Sequence, residues 1–117
     1  MTTELRPWGH YTVLHTIGTT VKVKELVVHP HSSLSMQRHA DRGEIWFIAE
    51  GNPSLYHIDD KTTDIELSGH YKQYQTLFIS QNEWHQLANE TDDIVRIVEI
   101  QYGDRCVEED IERKKDV

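Results

Sequence analysis

The sequence has 117 residues and a formal net charge of −8 at pH 7. A chain of this length supports one hydrophobic core, so we predict a single domain over residues 1–117. The acidic charge argues against nucleic acids and anionic membranes as partners, whereas a pocket with a few focused cations could still bind a small anion. The single cysteine and the lack of a long apolar segment lead us to expect a cytoplasmic protein.

Short apolar or alternating runs recur along the chain. They are rich in Val, Ile, Tyr, Trp and Phe, and the gaps between them contain Gly, Pro, Asn, Asp and Ser. This pattern predicts an antiparallel sandwich or barrel. The predicted strands are residues 11–17, 21–28, 44–49, 76–79 and 94–102.

The C-terminal tail has a charge order that is typical of a helix. Glu108, Glu109 and Asp110 come early, and Lys114 and Lys115 come late. Because this order complements the helix dipole, we predict a short helix over residues 107–115.

Four side chains could converge as metal ligands. Gln37 and His39 point to the same face of an extended strand, and a tight turn can return Glu44 beside His39. His85 arrives from a later run of the chain. An amide oxygen, two imidazoles and a carboxylate suit one divalent ion such as Zn, Mn, Co, Ni or Fe. The spacing alone leaves a metal site and a set of scattered polar residues equally open.

The arrangement of these residues resembles the two cupin motifs. The first motif has two histidines one residue apart and then a glutamate, and these places are taken by Gln37, His39 and Glu44. The second motif ends in a histidine followed by an asparagine, which His85 and Asn89 match. The resemblance implies an all-β fold, a small cupin or double-stranded β-helix jelly-roll barrel.

A closer resemblance is to the cupin domain of type II phosphomannose isomerases. That domain usually lies at the C-terminus of a bifunctional chain that also carries a mannose-1-phosphate guanylyltransferase. The resemblance implies a metal-dependent isomerase that interconverts mannose 6-phosphate and fructose 6-phosphate, with a sugar phosphate as its small-molecule partner. The matching segments, which span nearly the whole chain, include residues 6–9, 34–37, 42–46, 78–79, 98–101 and 108–111.

The implied reaction needs a Lewis acid, a proton-shuttling base and a cation for the phosphate. Arg42 matches an arginine of the family and is our first choice for binding the phosphate or the enediolate, with Arg96 as a weaker candidate. Glu99, Asp41 or a metal-bound hydroxide could act as the base, and the sequence leaves this choice open.

Lys24 is a further candidate for contact with the substrate. It falls on the same strand face as Leu26 and Val28, so it points into the barrel if they do. A lysine buried near a metal would serve the substrate rather than the core, and we therefore count Lys24 among the catalytic and substrate-binding residues.

Two other functions stay open. The missing nucleotidyltransferase half, and Asp41 where the family usually has a histidine, keep open a non-catalytic sugar-phosphate-binding cupin module. An iron-dependent cupin oxygenase would use two histidines and one carboxylate, with Gln37 disengaged. Exposed sheet edges and the N-terminal segment also lead us to expect a homodimer.

Overall fold

Twelve strands and no helix form the part of the chain that the computed structural model describes, residues 2–114. All of the strand pairs are antiparallel. The strands are β1 (Thr2–Arg6), β2 (Gly9–Ile17), β3 (Val21–Val28), β4 (Ser32–Ser33), β5 (Gln37–Arg38), β6 (Arg42–Glu50), β7 (Ser54–Ile58), β8 (Ile65–His70), β9 (Thr76–Ile79), β10 (Gln86–Asn89), β11 (Val95–Gly103) and β12 (Glu112–Arg113).

Two larger sheets and one small sheet enclose the interior. The six-stranded sheet has the order β1-β2-β3-β11-β6-β9, and the four-stranded sheet has the order β4-β10-β7-β8. The third sheet pairs β12 with β5. The all-β prediction is confirmed, and each of the five predicted strands lies largely within an observed one. Among residues 2–114 there is no helix long and apolar enough to cross a membrane.

Alternation along the central strands sorts side chains between the interior and the solvent. On β11, Val95 and Ile97 are fully buried. They pack in a core with Leu26, Val28 and Ile48 from the neighbouring strands. Further along the same interior faces of these strands, the buried residues are polar: Lys24, Arg42, Glu44, Glu99 and Gln101. One end of the barrel is therefore apolar, and the other end presents buried charged and polar groups.

The predicted C-terminal helix over residues 107–115 is wrong within the described residues, and Lys115 lies outside them. Residues 107–111 form turns and irregular backbone, and β12 then pairs with β5. The backbone hydrogen bonds inside this segment are those of turns, and other groups bond to the barrel: the Val107 carbonyl accepts from Arg42, and the Lys114 amide donates to the Met36 carbonyl. Tertiary hydrogen bonds outweigh a charge order that had no apolar stripe to support it.

Gly51 closes the turn after β6 in a conformation that other residues rarely adopt. Its φ is +87°, and a Cβ atom there would lie 2.4 Å from the Ile94 carbonyl oxygen. We expect Gly51→Ala to lower the free energy of unfolding by at least about 3 kcal/mol, because strain and a backbone clash add. Gly18→Ala is the matched control: Gly18 has φ +54° with open space around it, so we expect a loss of only about 1 kcal/mol. Urea unfolding measures both, and equal losses would contradict the clash.

Candidate metal centre

Three of the four predicted ligands meet inside the polar end of the barrel. The candidate donor atoms of His39, Glu44 and His85 all lie within 4.8 Å of one another, and all three residues are buried. His39 Nε2 is 3.4 Å from Glu44 Oε2, and His85 Nε2 is 3.8 Å from Glu44 Oε1. A single ion could contact all three side chains after small adjustments.

The strand pairing explains how distant parts of the chain reach one place. Gln37 and His85 form a β-bridge, with backbone hydrogen bonds of 2.9 Å in both directions. Residues directly opposite each other in an antiparallel pair project to the same face. The Gln37 side-chain nitrogen donates to the Ser35 carbonyl at 3.4 Å, which leaves the amide oxygen as a fourth ligand candidate.

Backbone carbonyls orient both imidazoles. His39 Nδ1 donates to the Asp110 carbonyl at 2.7 Å, and His85 Nδ1 donates to the Glu83 carbonyl at 2.8 Å. Each ring therefore turns an unprotonated Nε2 toward Glu44, which is the arrangement that metal-binding histidines use. Burial, helped by the Arg42 charge, lowers the pKa of His39 to about 4, and burial also lowers the pKa of His85. Both rings are thus neutral at pH 7, as ligands must be.

Glu44 is held from two sides. Arg42 Nε donates to Glu44 Oε2 at 3.0 Å, and Trp46 Nε1 donates to Oε1 at 2.9 Å. The Arg42 guanidinium also donates to the Val107 carbonyl and, at 3.3 Å, to His39 Nε2. With its nitrogens engaged in this way and its side chain only 6% exposed, Arg42 positions the candidate ligands. This geometry favours a positioning role over the phosphate contact that the sequence suggested.

The donor set fits a divalent ion. Two neutral imidazoles and one carboxylate, with an amide oxygen close by, form the mixed nitrogen and oxygen environment of borderline metals. The ligands open onto a cavity of about 400 Å³. Its wall also includes Trp8, Lys24, Glu99, Gln101, Glu108 and Ile111.

Glu99 and Lys24 are both buried inside the barrel, which for Lys24 is the position that strand alternation predicted. The pKa of Glu99 is raised to about 7, first by burial and then by the nearby charge of Glu44, and Gln101 donates to its carboxyl at 2.9 Å. Lys24 lies 2.8 Å from the Glu108 carboxylate and 4.1 Å from the centre of the Tyr11 ring. Lys24 therefore adds a buried cation to the cavity that the candidate ligands share.

Arg96 does not reach this cavity. It lies on the outer face of β11, where it forms ion pairs of 3.2 Å with Glu25 and Glu50. Side chains alternate between the two faces of a strand. Because Val95 and Ile97 point inward, Arg96 between them points outward. We leave Arg96 out of the site.

Gln101 and Glu108 are among the cavity residues that were not predicted as site residues from the sequence. Gln101 follows Glu99 by two positions and so shares its inward face, a signal that was available. Its Oε1 is buried, and within the described residues no hydrogen-bond donor reaches it. Glu108 gave no such signal, because it belongs to the segment that was predicted as a helix.

The chain matches a known protein family. A family model described as mannose-6-phosphate isomerase C-terminal matches residues 1–116. The chain belongs to this family. The resemblance drawn from the sequence is thereby confirmed.

Proteins from several bacteria match almost the whole chain. The alginate biosynthesis protein AlgA of Pseudomonas aeruginosa is 35% identical over 112 residues, which cover 96% of this chain and 22% of the relative. A mannose-1-phosphate guanylyltransferase of Sinorhizobium fredii is 32% identical over 114 residues, which cover 97% of this chain and 21% of the relative. The chain thus spans about a fifth of the length of the curated relatives it matches.

These relatives overturn the prediction that the chain interconverts mannose 6-phosphate and fructose 6-phosphate. They are named for guanylyl transfer involving mannose 1-phosphate or for alginate biosynthesis, and the matched part is only a fifth of each. The isomerase prediction is therefore wrong, and the alternative of a non-catalytic cupin module agrees better with them. The prediction of an enzyme holds in the coarser sense that the relatives are enzymes.

Solved structures confirm the cupin fold. The capsular polysaccharide assembling protein CapF of Staphylococcus aureus superposes with a TM-score of 0.75 at 13% identity, covering 97% of this chain and 34% of that one. A Klebsiella pneumoniae protein with a double-stranded β-helix domain gives a TM-score of 0.73 at 12% identity, covering 89% of this chain and 82% of that one. At these identities the likeness concerns the fold alone.

We expect His85→Ala to weaken the binding of Mn²⁺ or Zn²⁺ at least about tenfold, since it removes one of the candidate ligands. Isothermal titration calorimetry on metal-stripped protein measures the affinity. His29→Ala is the matched control, because His29 is exposed and we expect it to leave the affinity unchanged. Equal affinities for the wild type and His85→Ala would place the ion elsewhere.

Proposed function

We propose that this chain is a non-catalytic cupin module that binds a sugar phosphate beside a divalent ion. The observation that carries the proposal is the shared cavity: the cluster of His39, Glu44 and His85 opens onto the same space as the buried Lys24. The proposed ligands of the ion are these three residues together with Gln37. A bound ion would supply a Lewis-acidic contact for ligand oxygens.

The charges around the cavity suit an anion even though the chain is acidic overall. Four cationic residues and three acidic residues line it, against a net charge of −8 for the whole chain. The pKa of Glu99, raised to about 7 by burial, leaves that carboxyl largely uncharged in mildly acidic solution. The cavity is therefore locally more positive than the rest of the molecule, which favours an anionic ligand.

Binding without turnover agrees with the way the polar groups are engaged. Arg42 is held by Glu44, His39 and the Val107 carbonyl, and the Glu99 carboxyl accepts from Gln101. An arginine side chain keeps its protons near neutral pH, so in these contacts Arg42 holds its neighbours in place and does not act as a base. A sugar as the ligand's body is supported by the relatives, which include a mannose-1-phosphate guanylyltransferase.

We expect metal-loaded protein to bind mannose 6-phosphate more tightly than mannose. We expect Lys24→Met to lower the affinity for mannose 6-phosphate at least about tenfold, because it removes a buried cation. Lys61→Met is the matched control, since Lys61 is an exposed turn residue. Calorimetry measures the affinities, and NMR spectra of the recovered sugar should show no conversion. Equal binding of mannose and mannose 6-phosphate, or conversion of the sugar, would contradict the proposal.

The homodimer stays a prediction. Residues 2–6 form the outermost strand of the six-stranded sheet and are exposed throughout, with Leu5 at 78%. An open edge of this kind can pair with a second copy. Light scattering at micromolar concentration is expected to give twice the mass of the chain, and a strictly monomeric mass would remove the prediction.

A further inference from the structure

The segment after β11 returns across the open end of the barrel as a strap, which we define as residues 104–114. It is fixed along its length: the Cys106 amide donates to the Thr19 carbonyl, and the Asp110 carboxylate accepts from the amides of Ala40 and Asp41. Its last part forms β12. Glu108 lies between these attachment points.

The Glu108 carboxylate binds two lysines at once. Lys24 Nζ approaches it to 2.8 Å and Lys22 Nζ to 3.1 Å. Burial alone would raise the pKa of Glu108, but Lys24 and Lys22 outweigh it and hold the value at about 2. The carboxylate is thus ionised at any physiological pH and acts as the counter-ion of both lysines.

The two partners differ in how easily they can move. Lys24 and Lys22 lie on β3, which is paired on both sides within the large sheet, and their side chains are only 6% and 15% exposed. The Glu108 side chain is 46% exposed and comes from a segment without regular structure at that point. An anion brought by a ligand could therefore replace the carboxylate while the lysines stay in place.

The register connects this pair to the candidate metal centre. Across β3, β11 and β6, Lys22 lies opposite Gln101, which lies opposite Glu44. In the next row, Lys24 lies opposite Glu99. Two strand spacings put the backbone of the lysine pair about 10 Å from that of Glu44. A ligand with an anionic group at one end and hydroxyl oxygens at the other would span this separation.

We propose that Lys22 and Lys24 form an anion subsite for a phosphate group, and that Glu108 fills this subsite when no ligand is bound. This proposal adds to the proposed function and rests on it, because the proposed function identifies the rest of the ligand as a sugar. Two ammonium groups that converge on one carboxylate offer the same contacts to a phosphate oxygen pair. The buried Lys24 and the partly buried Lys22 need such a counter-ion, whether it comes from the strap or from a ligand.

The first test uses inorganic phosphate as the probe, with the metal removed so that phosphate cannot bind to an ion. We expect Glu108→Gln to bind phosphate about tenfold more tightly than the wild type, because an intramolecular competitor acts at an effective concentration of order millimolar. Glu109→Gln carries the same charge change on an exposed neighbour and should match the wild type. Calorimetry at constant ionic strength measures all three. Equal affinities in Glu108→Gln and Glu109→Gln would overturn the subsite.

Thermal unfolding keeps the test decisive if Glu108→Gln loses stability. Phosphate should raise the midpoint of Glu108→Gln more than that of the wild type, since binding to the folded state stabilises by mass action. Adding Lys24→Met to Glu108→Gln should abolish this gain. If Glu108 is only a structural counter-ion, phosphate will shift Glu108→Gln and Glu109→Gln equally, and the proposal fails.

Mannose 6-phosphate with metal-loaded protein separates this proposal from the proposed function. Tighter phosphate binding by Glu108→Gln, together with mannose 6-phosphate that binds no better than phosphate, would uphold the subsite and reject the sugar-phosphate module. Binding of mannose 6-phosphate by the wild type, together with unchanged phosphate affinity in Glu108→Gln, would do the reverse.

Discussion

The pairing of Glu44 is the interaction on which the polar end of the barrel depends. This carboxylate is 1% exposed, and an unpaired charge at such a depth would cost several kcal/mol. Arg42 and Trp46 donate to it, and the Nε2 atoms of His39 and His85 face it. Each of these partners comes from a strand or from a loop that is held by backbone hydrogen bonds. The fold therefore positions the groups that stabilise the buried Glu44 charge.

The two ends of the barrel have different roles: the apolar end stabilises the fold, and the polar end carries the candidate site. Leu26, Val28, Ile48, Val95 and Ile97 bury the apolar surface that drives folding. The same strands then continue into Lys24, Glu44 and Glu99 without changing their pairing. The site therefore sits on rigid elements, which hold its side chains more closely than loops would.

Much of this arrangement could be predicted from the sequence, and the exceptions have physical causes. The candidate ligands His39, Glu44 and His85 could be identified, because alternation and motif spacing reflect strand geometry directly. The strand β8 escaped detection because its residues are almost all exposed and so show no buried face. Arg96 was misplaced because parity along β11 was not applied to it. The strap was misread as a helix since its conformation depends on distant hydrogen bonds that local charge order cannot reveal.

The orientation of the two imidazoles has a consequence for how the centre withstands change. Both Nδ1 atoms bind to main-chain carbonyls, those of Glu83 and Asp110, rather than to side chains. Every amino acid carries such a carbonyl, so substitution at position 83 or 110 does not by itself delete the acceptor. Only a shift of the backbone can release the rings. The tautomers of His39 and His85 are thus shielded from point mutation and instead depend on the path of the chain around them.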